Sequence, residues 1–254
     1  MTTTVDTALV EYLLRLGDND LILGQRLGEL AGRAPILEED LATTNVALDL
    51  IGQARLWLTY AGEAEGRGRT EDTFAYARNA GDFRNVLLVE QPNGSYADTI
   101  ARAFLFDVAH FFFLEKLGTS ADARIAGIAQ KAVREVAYHV RRSGDWVIRL
   151  GDGTPESHLR MQSAIDALWT FTGELFAADA IEADVAARGI GIASDTLRGA
   201  WHEHVSAILQ QATLTVPADG FMRVGGKTGI HTEQLSYLLA EMQSVRRSIP
   251  GDRW

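Results

Sequence analysis

The chain has 254 residues, no Cys, and 34 Asp plus Glu against 24 Lys plus Arg, which gives a formal net charge of −10. The absence of Cys excludes a disulfide framework, a thiolate zinc site, a cysteine-held iron–sulfur cluster and a thiol nucleophile. The acidic balance argues against nucleic acid or an anionic membrane as a partner, because both need a basic surface. No secretory signal and no membrane-length apolar stretch is recognisable, so we expect a cytoplasmic protein.

Helical periodicity predicts helices in the first part of the chain. The first predicted helix carries leucines at three- and four-residue spacing, namely Leu13, Leu16, Leu23, Leu27 and Leu30. Asp20 falls on the same stripe, and the sequence AGRAP at 31–35 ends this helix. A second helix is predicted over 37–65. Residues 73–95 are predicted to form a short helix followed by a loop.

The rest of the chain is also predicted to be helical. Ser120 or Asp122 can cap one helix, and Thr154 followed by Pro155 is a strong start signal for the next. The predicted elements are helices at 95–117, 121–150, 154–187 and 194–211, an extended segment at 213–217, and a last helix that starts at Thr232. No repeat or Pro-rich linker divides the chain. We therefore predict one all-α domain over residues 1–254, a helical bundle with additional C-terminal helices.

An acid-rich helical bundle suggests a di-iron carboxylate site. Such a site needs one Glu from each of two helices and a Glu-x-x-His motif from each of two others. None of the six His has a Glu three residues before it. Asp107 and His110 form the single Asp-x-x-His pair, and Glu135 and His139 lie four residues apart. The sequence therefore predicts a bundle without the di-iron ligand set.

Two interpretations of these polar residues remain open. One is a degenerate metal site, for which the candidates are Asp49, Asp107, His110, Glu135 and His139. The other is a buried polar network without metal, since buried acids must find partners or shift their pKa. Asn45, Asp49 and Gln53, spaced by four residues, are predicted to form a polar seam that suits such a network.

Two further motifs do not fit the sites they suggest. The GGKT sequence at 225–228 is not a phosphate loop, because Phe221 stands where the first Gly belongs. We expect a turn in which Lys227 meets an acidic group or a ligand phosphate. His202 and His204 are two residues apart on a predicted helix, so they diverge by about 200° and cannot chelate one ion.

The segment 78–102 is the least generic part of the sequence. It places Arg78, Phe83, Arg84 and Asn85 before an apolar run. Arg for a phosphate and an aromatic ring for stacking could hold a nucleotide-like tail such as coenzyme A. The alternative is a loop that is salt-bridged to neighbouring acids.

Several motifs resemble one family. EYLLRLGDNDLILGQRLGEL (11–30), NVALDLIGQAR (45–55), VLLVEQPNGSYADTIAR (86–102), GGKTGIHTEQLSYLLAEMQ (225–243) and PGDRW (250–254) resemble the phenylacetate-degradation protein C family. This is the family of the C subunits of the ring-hydroxylating phenylacetyl-CoA epoxidase complex. The resemblance spans nearly the whole chain in order.

The resemblance implies a ferritin-like fold and a non-catalytic role beside a homologous A subunit. That subunit would carry the di-iron centre, bind the acyl-CoA and epoxidise the aromatic ring with O₂. Electrons would come from a reductase subunit with NADPH, flavin and an iron–sulfur cluster, and no cofactor is expected in this chain. The expected partners are the A subunit, the other subunits of the complex, phenylacetyl-CoA near the interface, and a second copy of this chain.

The resemblance also implies substrate contacts at two stretches. The first falls on Asp82, Phe83, Arg84 and Asn85, and the second on Ala183, Asp184 and Val185. Two rival functions remain open beside the structural subunit. One is a free-standing di-iron carboxylate oxygenase that uses the acids and histidines named above, and the other is a helical homodimer that binds acyl-CoA.

Overall fold

Four long helices form the body of the protein. The structure, a computed structural model, describes residues 5–249. The long helices are α1 (Thr7–Gly28), α2 (Leu37–Glu65), α4 (Tyr96–Leu117) and α5 (Ala123–Gly151). Their starts are set by side chains: Asp6 accepts a hydrogen bond from Leu9 N, and Asp122 accepts from the amides at 124 and 125.

The four helices pack as two pairs, α1 with α2 and α4 with α5. α2 and α5 run antiparallel, since Asp49 contacts His139 and Gln53 contacts Glu135. Fully buried side chains fill the centre, among them Leu13, Ile22, Leu50, Trp57 and Phe104. The apolar stripes that the sequence shows therefore face one common core.

Shorter elements complete the chain. They are α3 (Glu71–Tyr76), α6 (Pro155–Trp169), α7 (Ala180–Ala187), α8 (Arg198–Gln211), α9 (Glu233–Met242) and α10 (Ser244–Ser248). Four 3₁₀ turns lie between them, at Ala80–Asp82, Thr172–Phe176, Ser194–Leu197 and Gly226–Thr228. The short loop segment that contains residues 83–95 crosses the bundle between α3 and α4.

The predicted continuous helix from Thr154 to Ala187 is wrong. Thr154 does cap α6, but this helix ends at Trp169, and α7 begins only at Ala180. Between them, Glu174 is buried and accepts backbone N–H groups from distant loops, and Asp179 caps α7. These tertiary contacts and the new cap interrupt a sequence whose periodicity alone favours one helix.

Residues 5–249 contain helices and turns but no β-strand, so the all-α prediction is confirmed in the form of a ferritin-like bundle with C-terminal additions. The extended segment predicted at 213–217 is not part of a sheet. No helix in the described range is long and apolar enough to cross a membrane. The single domain over 1–254 stays a prediction, and the motif at 250–254 lies outside the described residues.

Candidate functional site

Asp18 of α1 holds the start of the loop that crosses the bundle. This fully buried carboxylate forms a two-pronged ion pair with Arg78, and it also accepts a hydrogen bond from Arg84 N at 2.8 Å. The guanidinium of Arg78 lies 4.1 Å from the centre of the Phe83 ring. Charge, hydrogen bonds and ring contact thus fix the backbone at residues 78–84.

Glu90 holds the other end of the same loop. Its Oε1 accepts hydrogen bonds from the amide and the hydroxyl of Thr232, and its Oε2 accepts from Asn85 and from His231 Nδ1. Burial opposes protonation of His231, but the hydrogen bond and charge of Glu90, together with the Phe83 carbonyl and the charge of Glu174, outweigh it, so the pKa of His231 is raised. The motifs LLVEQPNG and GIHTE are therefore two halves of one buried network.

Glu174 supplies a third attachment. It accepts hydrogen bonds from Leu87 N at 2.7 Å, Gly225 N at 2.8 Å and Lys227 N at 3.3 Å. Lys227 Nζ in turn contacts Glu182 at 2.7 Å. The GGKT turn is thus a structural turn, and the acidic group is the partner of its lysine.

The first predicted substrate stretch is split between the surface and the core. Phe83 and Asn85 are fully buried, and Asp82 is exposed and accepts a hydrogen bond from Asn79 N. Arg84 is partly exposed and donates to Glu11 of α1 at 2.6 Å. Of these four side chains, Asp82 and Arg84 are therefore the ones a ligand can reach.

The second predicted stretch lies on α7. Ala183 and Asp184 are exposed, while Val185 is buried. Arg188 bridges Asp184 to Asp6 at the start of α1. The two stretches are about one hundred residues apart in sequence, yet both lie against the first turns of α1. The structure therefore places both predicted stretches beside the start of α1, and their role stays a prediction.

A surface groove of about 520 Å³ lies beside the first stretch. Arg67, Arg69 and Arg84 line it, together with Asp82 and Glu11. Arg67 is largely exposed and lies 4.0 Å from Glu65, with which Arg69 is also paired. The wall of the groove therefore carries arginines next to the acids Glu11, Glu65 and Asp82.

The five residues of the predicted metal-like cluster divide into two groups. Asp107, His110 and His139 are buried between the four long helices, whereas Asp49 and Glu135 are partly exposed at the contact of α2 with α5. His139 Nε2 lies 3.1 Å from Asp49 Oδ2, and Gln53 donates to Glu135 at 2.9 Å. Ser143 donates to Asp107 at 2.9 Å.

Sequence reasoning missed some members of this cluster. Ser143 lies four residues after His139, so i, i+4 spacing could have found it. Asp20, noted on the first stripe, lies 3.4 Å from His110 Nε2. Asn45 does not join, because it is exposed: four residues exceed one helical turn by about 40°, so the seam rotates outward towards the start of α2.

Burial shifts the pKa values of the groups at the centre of the cluster. It raises the pKa of Asp20 well above its usual range and that of Asp107 to about 6, although the charge of His139 acts in the opposite direction on Asp107. Burial, and then the proximity of His139, lowers the pKa of His110 to about 3. Burial therefore favours the neutral forms of Asp20 and His110.

These residues do not fit a di-iron centre. A di-iron site uses four carboxylates and two His from facing helices, and here α2 contributes the amide Gln53, which is hydrogen-bonded to Glu135. Among residues 5–249, no three His, Asp or Glu side chains are gathered so that they could hold a metal ion. The arrangement is that of a buried polar network.

A small cavity adjoins this network. It measures about 60 Å³ and lies between α1 and α4, with Tyr12, Phe106, His110 and Asp20 in its wall. Both carboxyl oxygens of Asp20 and Nδ1 of His110 are buried without a hydrogen-bond partner in the described chain. At roughly 15 Å³ for each molecule, the cavity has room for a few waters that could satisfy them.

Comparisons with known proteins agree with this geometry. The model of the family described as "Phenylacetic acid catabolic protein" matches residues 1–254, and the chain belongs to this family. Over 246 residues it is 51% identical to the C subunit of 1,2-phenylacetyl-CoA epoxidase of Escherichia coli (strain K12). The match covers 97% of this chain and 99% of that protein. The family predicted from the motifs is confirmed.

Proposed function

We propose that this protein is the non-catalytic structural subunit of a phenylacetyl-CoA epoxidase in aerobic phenylacetate catabolism. The observation that carries the proposal is the bundle centre, where α2 contributes the amide of Gln53 and no three His, Asp or Glu side chains among residues 5–249 are gathered so that they could hold a metal ion. The relative of 51% identity, itself the C subunit of such an enzyme, supports the same role. The di-iron centre then belongs to a homologous catalytic subunit, and NADPH, flavin and an iron–sulfur cluster belong to a reductase subunit.

A bundle without metal can still serve its catalytic partner. The long helices of this chain are fixed by a continuous core and by the buried carboxylates Asp18, Glu90 and Glu174. A rigid helical face packed against the partner holds the partner's own helices, and through them the geometry of its metal ligands. In this role the chain contributes positioning rather than chemistry.

We also propose that the chain contacts the coenzyme A part of the substrate. Coenzyme A carries several phosphate charges, and the net charge of −10 does not attract them. The groove lined by Arg67, Arg69 and Arg84 offers guanidinium groups, which bind phosphate well. Buried Phe83, Asn85 and Val185 would act by holding the exposed members of the two stretches in place.

Reconstitution tests the main proposal. The chain is co-purified with a candidate catalytic subunit, iron is counted for each chain, and epoxidation of phenylacetyl-CoA is measured with the reductase present. The proposal expects no activity and no stoichiometric iron in this chain alone, and activity in the complex. About two irons in the isolated chain, together with turnover, would instead establish a free-standing di-iron oxygenase.

The Asp107→Asn variant separates these two functions further. A structural subunit with this change still supports activity in the complex, since the amide can keep the hydrogen bond from Ser143. In a di-iron oxygenase the same change removes a ligand and abolishes turnover. An acyl-CoA-binding homodimer, the other rival, predicts heat of binding when phenylacetyl-CoA is titrated into the isolated dimeric chain, with no complex formed with the catalytic subunit.

A further inference from the structure

Two helix faces enclose most of the small cavity beside the polar network. Residues that are spaced by three and four positions fall on one side of an α-helix, so one stripe of α1 faces one stripe of α4 across the cavity. The turns at Thr172–Phe176 and Ser194–Leu197 contribute to its wall as well. The two stripes include Tyr12, Asn19 and Asp20 of α1 and Phe106, Ala109 and His110 of α4.

Asp20 and His110 bring polar atoms without partners to this wall. Asp20 is 1% exposed and His110 is 8% exposed. Within residues 5–249, both carboxyl oxygens of Asp20 and Nδ1 of His110 are buried without a hydrogen-bond partner. A buried polar group that forms no hydrogen bond lowers the stability of the fold. The two side chains therefore call for a ligand that forms hydrogen bonds with them.

Tyr12 and Asn19 add hydrogen-bond donors to the same wall. The hydroxyl oxygen of Tyr12 accepts from Ile192 N at 3.1 Å, and Oδ1 of Asn19 accepts from Val86 N at 2.8 Å. In the described part of the chain, the O–H group of Tyr12 and the amide N–H groups of Asn19 donate to no other residue. The cavity thus offers both donors and acceptors, and a ligand that can accept and donate satisfies both.

The charges in the wall do not call for an ion. Arg15 forms an ion pair with Asp179, and Lys227 forms one with Glu182. Burial raises the pKa of Asp20 well above its usual range, which favours its neutral form. Nε of Arg15 is buried without a hydrogen-bond partner within residues 5–249 and is a further donor. The ligand that suits these groups is therefore uncharged.

The size of the cavity restricts the ligand further. Its volume is about 60 Å³, whereas an engineered cavity that binds benzene has about 150 Å³. Water needs about 15 Å³ for each molecule and two to four polar partners. Water is thus the uncharged molecule that both donates and accepts hydrogen bonds and fits this space.

We propose that the cavity is a hydration site in which two or more water molecules join α1 to α4. One water bridges the carboxyl group of Asp20 and Nδ1 of His110, and the others extend the network to the Tyr12 hydroxyl and the Asn19 amide. In this fold α1 packs with α2 and α4 with α5. The waters supply hydrogen bonds between these two pairs of helices.

The first test is a high-resolution crystal structure of the full-length chain, determined with and without xenon pressure. Xenon enters dry apolar cavities, whereas ordered waters exclude it. The expected result is at least two ordered waters in the cavity, one of them within about 3.2 Å of both Asp20 and His110 Nδ1, and no bound xenon. A cavity without ordered water, or one in which xenon binds, would overturn the inference.

The second test counts long-lived waters in solution by ¹⁷O magnetic relaxation dispersion. Asp20→Leu combined with His110→Phe removes the polar atoms that hold the waters, and it is expected to lose about two of them. Asp20→Asn is expected to keep them, because an amide still donates and accepts. The matched control is Thr99→Val, which removes a buried α4 hydroxyl that donates to Asn93 O outside the cavity.

The control variant is expected to hold as many waters as the wild type. An equal number in the double variant would contradict the inference, because the waters counted would then lie elsewhere. Circular dichroism checks that each variant is folded, and the crystal structure of the wild type decides the question if the double variant is not. Neither result bears on the proposed function, which reconstitution with the catalytic subunit tests separately.

Discussion

His231 donates from Nδ1 to Glu90 Oε2 across 2.7 Å, and its Nε2 lies 3.0 Å from the carbonyl oxygen of Phe83. Both partners are acceptors, so both ring nitrogens must carry protons, and the imidazole is a cation. The raised pKa of His231 has the same cause. This pair joins segments that are 141 residues apart and explains why the two motifs occur together.

The His231 cation predicts a pH-dependent stability. The folded-state pKa lies above the usual value of about 6.5, so the stabilisation is fully present below that value and is lost as pH rises through the folded pKa. His231→Gln is expected to lower the free energy of unfolding by about 2–3 kcal/mol near pH 6 and by less at alkaline pH. Urea denaturation across pH measures this. His202→Gln, at an exposed position of α8, serves as control, and equal pH slopes in wild type and His231→Gln would contradict the prediction.

Replacement of Asp107, unlike that of His231, is expected to stabilise the protein. Burial raises its pKa to about 6, so the stability that is fully present below the usual pKa is lost as pH rises through 6. Asp107→Asn removes this cost and is expected to stabilise the protein by about 1–3 kcal/mol at pH 8, with little change near pH 4. Thermal unfolding at the two pH values checks it. A loss of stability at pH 8 would show that the carboxylate is needed in its charged form.

Gly226 lies where the GGKT turn meets the crossing loop. A Cβ on this residue would be 2.1 Å from the carbonyl oxygen of Asn85, so backbone would have to shift. Gly226→Ala is therefore expected to cost about 2 kcal/mol or more. The control is Gly199→Ala in α8, where the Cβ meets open space and alanine is expected to stabilise the helix by up to about 1 kcal/mol. Chemical denaturation of both variants gives the comparison, and equal effects would refute it.

Replacement of Arg84 is expected to change the binding of substrate rather than the rate of the chemical step. In the assembled complex, Arg84→Ala is expected to raise the KM for phenylacetyl-CoA about 10-fold with kcat unchanged, because a charge-assisted contact to a phosphate is lost. Arg198→Ala, an exposed arginine paired with Asp219 on another side of the protein, is the control. An unchanged KM in Arg84→Ala would remove this residue from the substrate contact.

Sequence patterns predicted the long helices well because their causes are local. The bounds of α2 agree with the predicted 37–65, and Thr154 caps α6 ahead of Pro155 as expected. Apolar periodicity and N-cap chemistry depend on residues only three or four positions apart. The break after Trp169 was missed because its cause, the contacts of Glu174 with two loops, lies far away in the chain.

The candidate sites were predicted less completely from the sequence than the long helices were. Asp107 and His110 could be placed on one helix from their spacing, and the absence of Glu-x-x-His predicted the lack of a di-iron ligand set. The hydrogen bond between Gln53 and Glu135 and the contact of Arg84 with Glu11 depend on how separate elements pack together. Residue spacing along one helix does not show that packing.

Asp18, Glu90 and Glu174 attach the crossing loop to α1, to the start of α9 and to the GGKT turn at the same time. A ligand that reaches Arg84 therefore meets a backbone that is already in its final position, and binding need not order it. The same attachments connect the loop to α1 near one end of the chain and to α9 near the other. We thus expect a preorganised, lock-and-key contact with substrate on this side of the subunit, with adaptation left to the partner.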